Sequence, residues 1–457
     1  MTAPARSLSN APTREALFRD HVAELRARTD QALAAAGFDG VIFQSGEPLG
    51  LARDDQHYPY KAHPYFKWWV PLADAPGSLV HYRKGSRPQL IFFVATDFWY
   101  HAATLPQEAW VSEFDVVIVH SSDEVRTALP QDLSRTAWLG DPLAELGSYG
   151  LAAVNPADLL RRLDYTRARK TAYEIECLAE ANRIALQGHA AAAHCFARGG
   201  SEYDIHQAFV AACGLREQEL PYNAIVALNE AGSVLHYQIL QRRPPAQHRS
   251  LLIDAGASIH GYGSDITRTH AAANADPEFI GLLERMDELQ QGLCDLVKPG
   301  VDWRDIHQAA VEQIAALLCS SGILRCSVEE SLNSGTARLF FPHGIGHLLG
   351  LQVHDVGGVM ADDQGGMIPK PALDPALRLT RILEPGFVVT MEPGLYFVDA
   401  LLKPARSSHH ATRIDWQRIE KLAPYGGIRI EDNLVVTDSG VRNLTREVEG
   451  SHRLIKL

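Results

Sequence analysis

The chain has 457 residues, more than one hydrophobic core organises, so at least two domains are expected. A hydrophobic share of 46% with 21% charged residues excludes a disordered or fibrous protein. A formal net charge of −12, with no basic block anywhere, argues against nucleic acid and anionic membrane as partners.

The first predicted element is a helix over 12–36, where Leu17, Val22, Leu25 and Leu33 fall near helical spacing, Thr13 is available as N-cap and Gly37 ends the pattern. Short apolar runs, β-branched or aromatic, follow at 40–44, 89–94, 115–120 and 137–140, with a helical segment at 156–163. Strands alternating with helices predict an α/β N-terminal domain. Segment 53–66, RDDQHYPYKAHPYF, reads as a polar and aromatic loop, as readily plain surface as a ligand contact. The charged run LDYTRARK precedes a helical stretch over 170–197, and the boundary is placed near Arg167, giving domains 1–167 and 168–457. The N-terminus lacks an apolar signal core, and no window offers ~18 consecutive apolar residues. The six cysteines form no CxxC pair and read as small core residues of a reducing compartment, so a cytoplasmic enzyme is expected.

Beyond the boundary the sequence repeats itself. GGSEYDIHQAF at 199–209 and PGVDWRDIHQAAV at 299–311 share a glycine turn, an acidic and aromatic start and the tetrad Asp-Ile-His-Gln. Two structural halves that fold together are expected, each a helical region followed by strands, at 223–228 and 250–269 and then at 387–397 and 427–437. The fold class read from this order is an α/β N-terminal domain followed by an α+β domain with internal pseudo-duplication.

Acidic residues interrupt those strand patterns. Asp254 closes an apolar run in LLIDAGASIHGYGSDITRTH and Asp265 follows 11 residues later, a spacing that suits two adjacent strands of a hairpin. Glu392 in VVTMEPG and Glu431 in IRIEDNLVV again break β-branched runs, and all four carboxylates are expected at strand positions. Buried acids side by side repel unless a cation lies between them. The stretch 340–358, FFPHGIGHLLGLQVHDVGG, adds His343, His347 and His354 among glycines at 344, 346 and 350, which would let the backbone approach a ligand. Four carboxylates with one imidazole form an oxygen-rich set suited to two divalent ions; Mn²⁺ fits best, with Co²⁺ or Zn²⁺ as alternatives. Two such ions about 3.5–4 Å apart are equipment for hydrolysis.

In this arrangement the chain resembles the metallopeptidase family with the pita-bread fold, which includes methionine aminopeptidase, aminopeptidase P, prolidase and the metal-free creatinase. YNAIVALNEAGSVLHYQ, FPHGIGHLLGLQVHDVGG, EPGFVVTMEPGLYF and WQRIEKLAPYGGIRIEDNLVV resemble its bacterial Xaa-Pro dipeptidase branch and the related organophosphorus acid anhydrolases. The resemblance implies Asp254, Asp265, His347, Glu392 and Glu431 as ligands of two metals, with Asp265 and Glu431 bridging. It implies Glu392 as proton acceptor from the attacking water, and His343 and His354 as contacts of the scissile carbonyl. Arg378 falls where prolidases hold the substrate carboxylate, while Arg429, His236 and Tyr222 are expected to line the pocket. A homodimer is implied, with Asp55 of the 53–66 loop reaching the neighbouring subunit's site. The implied activity is hydrolysis of small Xaa-Pro dipeptides, with organophosphorus triesters as a side activity. Aminopeptidase P action on longer Xaa-Pro-Yaa peptides, or a non-catalytic peptide-binding protein of the same fold, are the alternatives.

Overall fold

The computed structural model describes residues 12–99 and 101–448; residues 1–11, part of the stretch read above for a targeting signal, lie outside it. Helix α1 (Arg14–Ala36) starts where the Thr13 hydroxyl accepts from the Ala16 amide and stops at Gly37, whose φ of 79° suits glycine. Its buried stripe, Phe18, Val22, Leu25 and Leu33, keeps the helical period. The elements that follow are β1 (Gly40–Gln44), α2 (Pro64–Trp69), β2 (Leu79–Arg83), β3 (Gln89–Phe93), β4 (Asp115–Val119), α3 (Ser122–Ala128), β5 (Thr136–Leu139) and β6 (Ala153–Val154). The six strands form one mixed sheet in the order β4-β3-β2-β1-β5-β6, with β1 at its centre and wholly buried. Two sequence expectations change here. The 53–66 segment is only half a loop, because α2 begins inside it and buries Tyr65 and Phe66. Strand β2 carries His81 and Tyr82, polar types that hid it, yet both are buried against the sheet.

Helices α4 (Ala157–Arg167), α5 (Ala172–Ala197) and α6 (Glu202–Cys213) are followed by β7 (Ile225–Leu228), β8 (Ser250–Asp254), β9 (Ser258–Ile259), β10 (Tyr262–Gly263) and β11 (Thr267–Ala271). Then come α7 (Pro277–Cys294), α8 (Trp303–Ser320), β12 (Val388–Met391), β13 (Gly394–Tyr396), β14 (Gly427–Arg429), β15 (Asp432–Val436) and β16 (Val441–Asn443). The repeated tetrads open α6 and α8, capped by Ser201 and Asp302. Their histidines occupy equivalent buried places, and each reaches an acid, His206 with Glu217 at 2.8 Å and His307 with Asp374 at 3.3 Å. Each half contributes a three-stranded sheet, β11-β8-β7 and β12-β15-β16. The chain's contacts divide it into two compact units, one ending at Leu163 and recovering Thr171–Glu174, the other holding Asp164–Lys170 and everything from Ile175 onward. Most of the charged run at the expected boundary thus packs with the second unit. Among the described residues the six cysteines are free thiols, and no helix is long and apolar enough to cross a membrane.

Candidate active site

Thr267, fully buried at the start of β11, is the hub on which the acidic side chains are hung. Its register partner is Asp254, the last residue of β8. Its carbonyl accepts from the Glu431 amide at 3.0 Å, while its hydroxyl donates to Glu431 Oε2 at 2.7 Å and accepts from Arg429 Nε at 3.0 Å. Asp265 lies two residues upstream, its amide donating to Asn433 Oδ1 at 3.0 Å. From the other half, the His347 amide donates to the Thr390 hydroxyl at 3.1 Å and its carbonyl accepts from the Thr390 amide at 3.0 Å. A side chain at Gly346 would stand 2.1 Å from the Thr390 carbonyl, so that glycine is required by packing against β12 and not by a ligand.

The imidazole Nε2 of His347 then lies 3.4 Å from Asp265 Oδ2 and 3.6 Å from Glu392 Oε1. Donor atoms of Asp265, His347 and Glu431 all fall within 4.8 Å of one another. Asp254 adjoins this group, accepting from the Tyr222 hydroxyl at 2.8 Å and from Arg429 Nη2 at 2.7 Å. Of the four carboxylates only Asp254 is inside a strand; Asp265, Glu392 and Glu431 occupy breaks beside β11, β12 and β15, which corrects the expectation that all four hold strand positions. The reason is geometric. A regular strand alternates its side chains between faces, so acids from four segments converge only where the ladder is interrupted.

One residue of this network escaped the sequence reading. Tyr396, in EPGLYF, accepts from Arg429 Nη1 at 3.0 Å and lies 2.9 Å from His343 Nε2, whose Nδ1 is 2.8 Å from the Gly344 carbonyl. A carbonyl only accepts, so His343 carries its proton on Nδ1 and accepts a hydrogen bond from the Tyr396 hydroxyl at Nε2. Burial, with Arg429 adding to it, pushes His343 down to about 3, so the ring is neutral. His354 is exposed and packs edge-on to His347 at 4.4 Å between centroids. Desolvation, then the charges of His347 and Arg378, push it down to about 4. Arg378 is exposed and lies in an irregular segment, near enough to His354 for its charge to be felt. His236 is also exposed and acts electrostatically on both His343 and His354. Asp55 stands exposed in the turn closed by the Gly50–His57 bridge of the first unit.

Residues 16–165 match the family model described as Xaa-Pro dipeptidase, N-terminal domain, and residues 176–438 match metallopeptidase family M24. The chain belongs to metallopeptidase family M24. Xaa-Pro dipeptidases of this kind include that of Stenotrophomonas maltophilia strain K279a, 46% identical over 94% of this chain and 97% of that protein. That of Xanthomonas axonopodis pv. citri strain 306 is likewise 46% identical, over 96% and 98%. In fold the chain is similar to zinc-substituted Escherichia coli aminopeptidase P in complex with product, with a TM-score of 0.71, 24% identity and coverage of 95% and 97%. Pseudomonas aeruginosa aminopeptidase PepP gives 0.70, 23%, 94% and 96%.

M24 membership implies divalent metal ions, and the charges at this site fit them. Burial, then repulsion from Asp265, Glu392 and Asp254, lifts Glu431 well above the carboxylate range. Burial likewise raises Glu392 to about 7. His347 would be lowered by burial alone, but Asp265 and Glu392 raise it, so that a proton on Nε2 stands where a cation is wanted. Removing metal should therefore make stability pH-dependent. Groups whose folded pKa is raised stabilise the fold below their unfolded value and lose that contribution as pH climbs through the folded one. For Glu392 the window runs from about 4.5 to about 7, and one such shift is on the order of 3 kcal/mol. Metal-stripped protein is expected to melt at lower temperature at pH 8 than at pH 5.5, with the metal-loaded form losing much less; equal losses in a thermal melt series would contradict the assignment.

Proposed function

We propose that this M24 protein is a divalent-metal dipeptidase that hydrolyses Xaa-Pro dipeptides, with Mn²⁺ the ion its carboxylate-rich donor set suits best. The observation that carries this reading is the near full-length identity of 46% to proteins named Xaa-Pro dipeptidase. Asp254, Asp265, His347, Glu392 and Glu431 would hold the ions. Bound there, such ions acidify water and polarise a carbonyl. The protein's own groups do the rest. Glu392, 3.6 Å from His347, would accept the attacking water's proton and pass it to the prolyl nitrogen, which leaves as a secondary amine. His354, whose ring nitrogens bond to no described residue, is free to meet the scissile carbonyl. His343 reaches the developing tetrahedral centre only by exchanging Tyr396, so its first role is to anchor the Arg429–Tyr396 chain that holds Asp254. Arg378 grips the substrate carboxylate, which marks the end of a two-residue chain.

Tyr396→Phe breaks that chain without touching a ligand. Its kcat on Ala-Pro is expected to fall roughly tenfold, with metal content unchanged by elemental analysis. The exposed turn around Asp55, flanked by exposed Leu49 and Tyr58, supports a homodimer in which Asp55 lines the neighbour's site. The reading as a whole is tested by assaying Ala-Pro and Leu-Pro with stripped and Mn²⁺-reconstituted protein. Activity should appear only after reconstitution; a protein inert on both after two ions per chain are loaded would contradict it.

A further inference from the structure

The segment Asp164–Lys170 belongs to the catalytic unit, and the charged side chains of Arg167 and Lys170 are buried in it. Arg167, Lys170 and Asp355 each expose only 1% of their side chains. Lys170 Nζ donates to Asp355 Oδ2 at 2.8 Å, to the Arg167 carbonyl at 3.1 Å and to the Ala168 carbonyl at 3.4 Å, which accounts for all three of its protons. Arg167 Nη2 bonds Asp355 Oδ1 and Gln352 Oε1. Asp355 Oδ1 also accepts from the Val356 amide at 3.0 Å, and the Asp355 amide donates to the Leu348 carbonyl at 2.9 Å.

These bonds pin both sides of one turn, the one that carries His354. Gln352 and Asp355 bracket that histidine, and Leu348 follows the ligand His347. The glycines of the turn are explained by the same contact. A side chain at Gly350 would stand 2.3 Å from Asp355 Oδ2 and 2.8 Å from Lys170 Cε, and one at Gly357 would stand 2.7 Å from the Asp164 carbonyl. The glycine at 350, read from sequence as room for a ligand, is room for this strap. The strap is fixed at its far end too, where the Lys170 amide donates to the Gly386 carbonyl at 2.7 Å and Arg169 bridges Phe387, immediately before β12.

We infer that Arg167, Lys170 and Asp355 are positioning residues for His354, holding its imidazole over the site through the pinned 352–355 turn. The ring is exposed, its nitrogens bond to no described residue, and it packs edge-on against the His347 ring. Burying charged groups is costly unless geometry is the gain, because an apolar packing of the same volume is often as stable. The inference rests on the reading of His354 as the carbonyl contact.

The test is a double-mutant cycle on the full-length, Mn²⁺-loaded protein with Ala-Pro as substrate. His354→Ala should lower kcat roughly 100-fold, as loss of a donor to a developing oxyanion does. Lys170→Met, which leaves Asp355 paired with Arg167, should lower kcat roughly tenfold, with KM changed less than about threefold and metal content unchanged. In the His354→Ala background Lys170→Met should cost less than about twofold more, since a positioning residue has nothing left to position. Arg167→Lys keeps the charge but loses the guanidinium nitrogen that bonds both Asp355 and Gln352; it should show the same non-additive pattern and serves if Lys170→Met fails to fold. Additive losses, wild-type kcat in both strap variants, or losses that track metal content would overturn the inference. Wild-type activity of His354→Ala would instead overturn the role of His354, and the strap with it, so the two failures are distinguishable.

Discussion

Asp265→Asn is expected to abolish metal loading and dipeptide hydrolysis together, with a loss of roughly 10³-fold or more in kcat/KM. The change is nearly isosteric, and Asn433 holds the residue's backbone from both sides, so the fold should persist. What is lost is charge. Asp265 lies 3.4 Å from His347 Nε2 and groups with Glu431, and a neutral amide cannot bridge two cations as a carboxylate does. The same substitution removes the group whose repulsion, after burial, most raises Glu431. Added Mn²⁺ should then no longer raise the melting temperature of Asp265→Asn. Two ions per chain retained by an active mutant would sink the ligand assignment.

Arg378→Met carries the second large effect. A dipeptidase distinguishes its substrate from a longer peptide by the terminal carboxylate, which a guanidinium grips through two parallel hydrogen bonds. Arg378 is exposed and within electrostatic reach of His354, and methionine keeps much of its bulk. Losing a charge-assisted contact to a partly desolvated carboxylate costs on the order of 2–4 kcal/mol, or roughly 30- to 1000-fold in kcat/KM. Ala-Pro-amide never uses the grip, so its hydrolysis should fall far less. An equal fall for both substrates would make Arg378 a structural residue.

The sequence showed more of the site than of its support. The ligand residues stood out because acids interrupting β-branched runs are expensive unless something binds them. The tetrad around His206 and His307 exposed the duplication because two helix starts had to solve the same packing problem. Tyr396 went unnoticed because a tyrosine in a strand is ordinary, and its value comes from Arg429 and His343, 33 and 53 residues distant in sequence. The role of LDYTRARK was hidden for a related reason. Its charges gave no sign of their partners, and Arg167 and Lys170 are buried by pairing with Asp355, 188 and 185 residues on. Composition reports what a residue carries, and only the fold reports what neutralises it.

The most direct measurement is a competition assay in which Mn²⁺-loaded protein receives equimolar Ala-Pro and Ala-Pro-Gly, with the distinct second products, proline and Pro-Gly, followed separately. The expected result is cleavage of Ala-Pro alone until it is exhausted, because the third residue removes the carboxylate from Arg378. Equal or faster cleavage of Ala-Pro-Gly would contradict the dipeptidase account and place the chain's activity with aminopeptidase P.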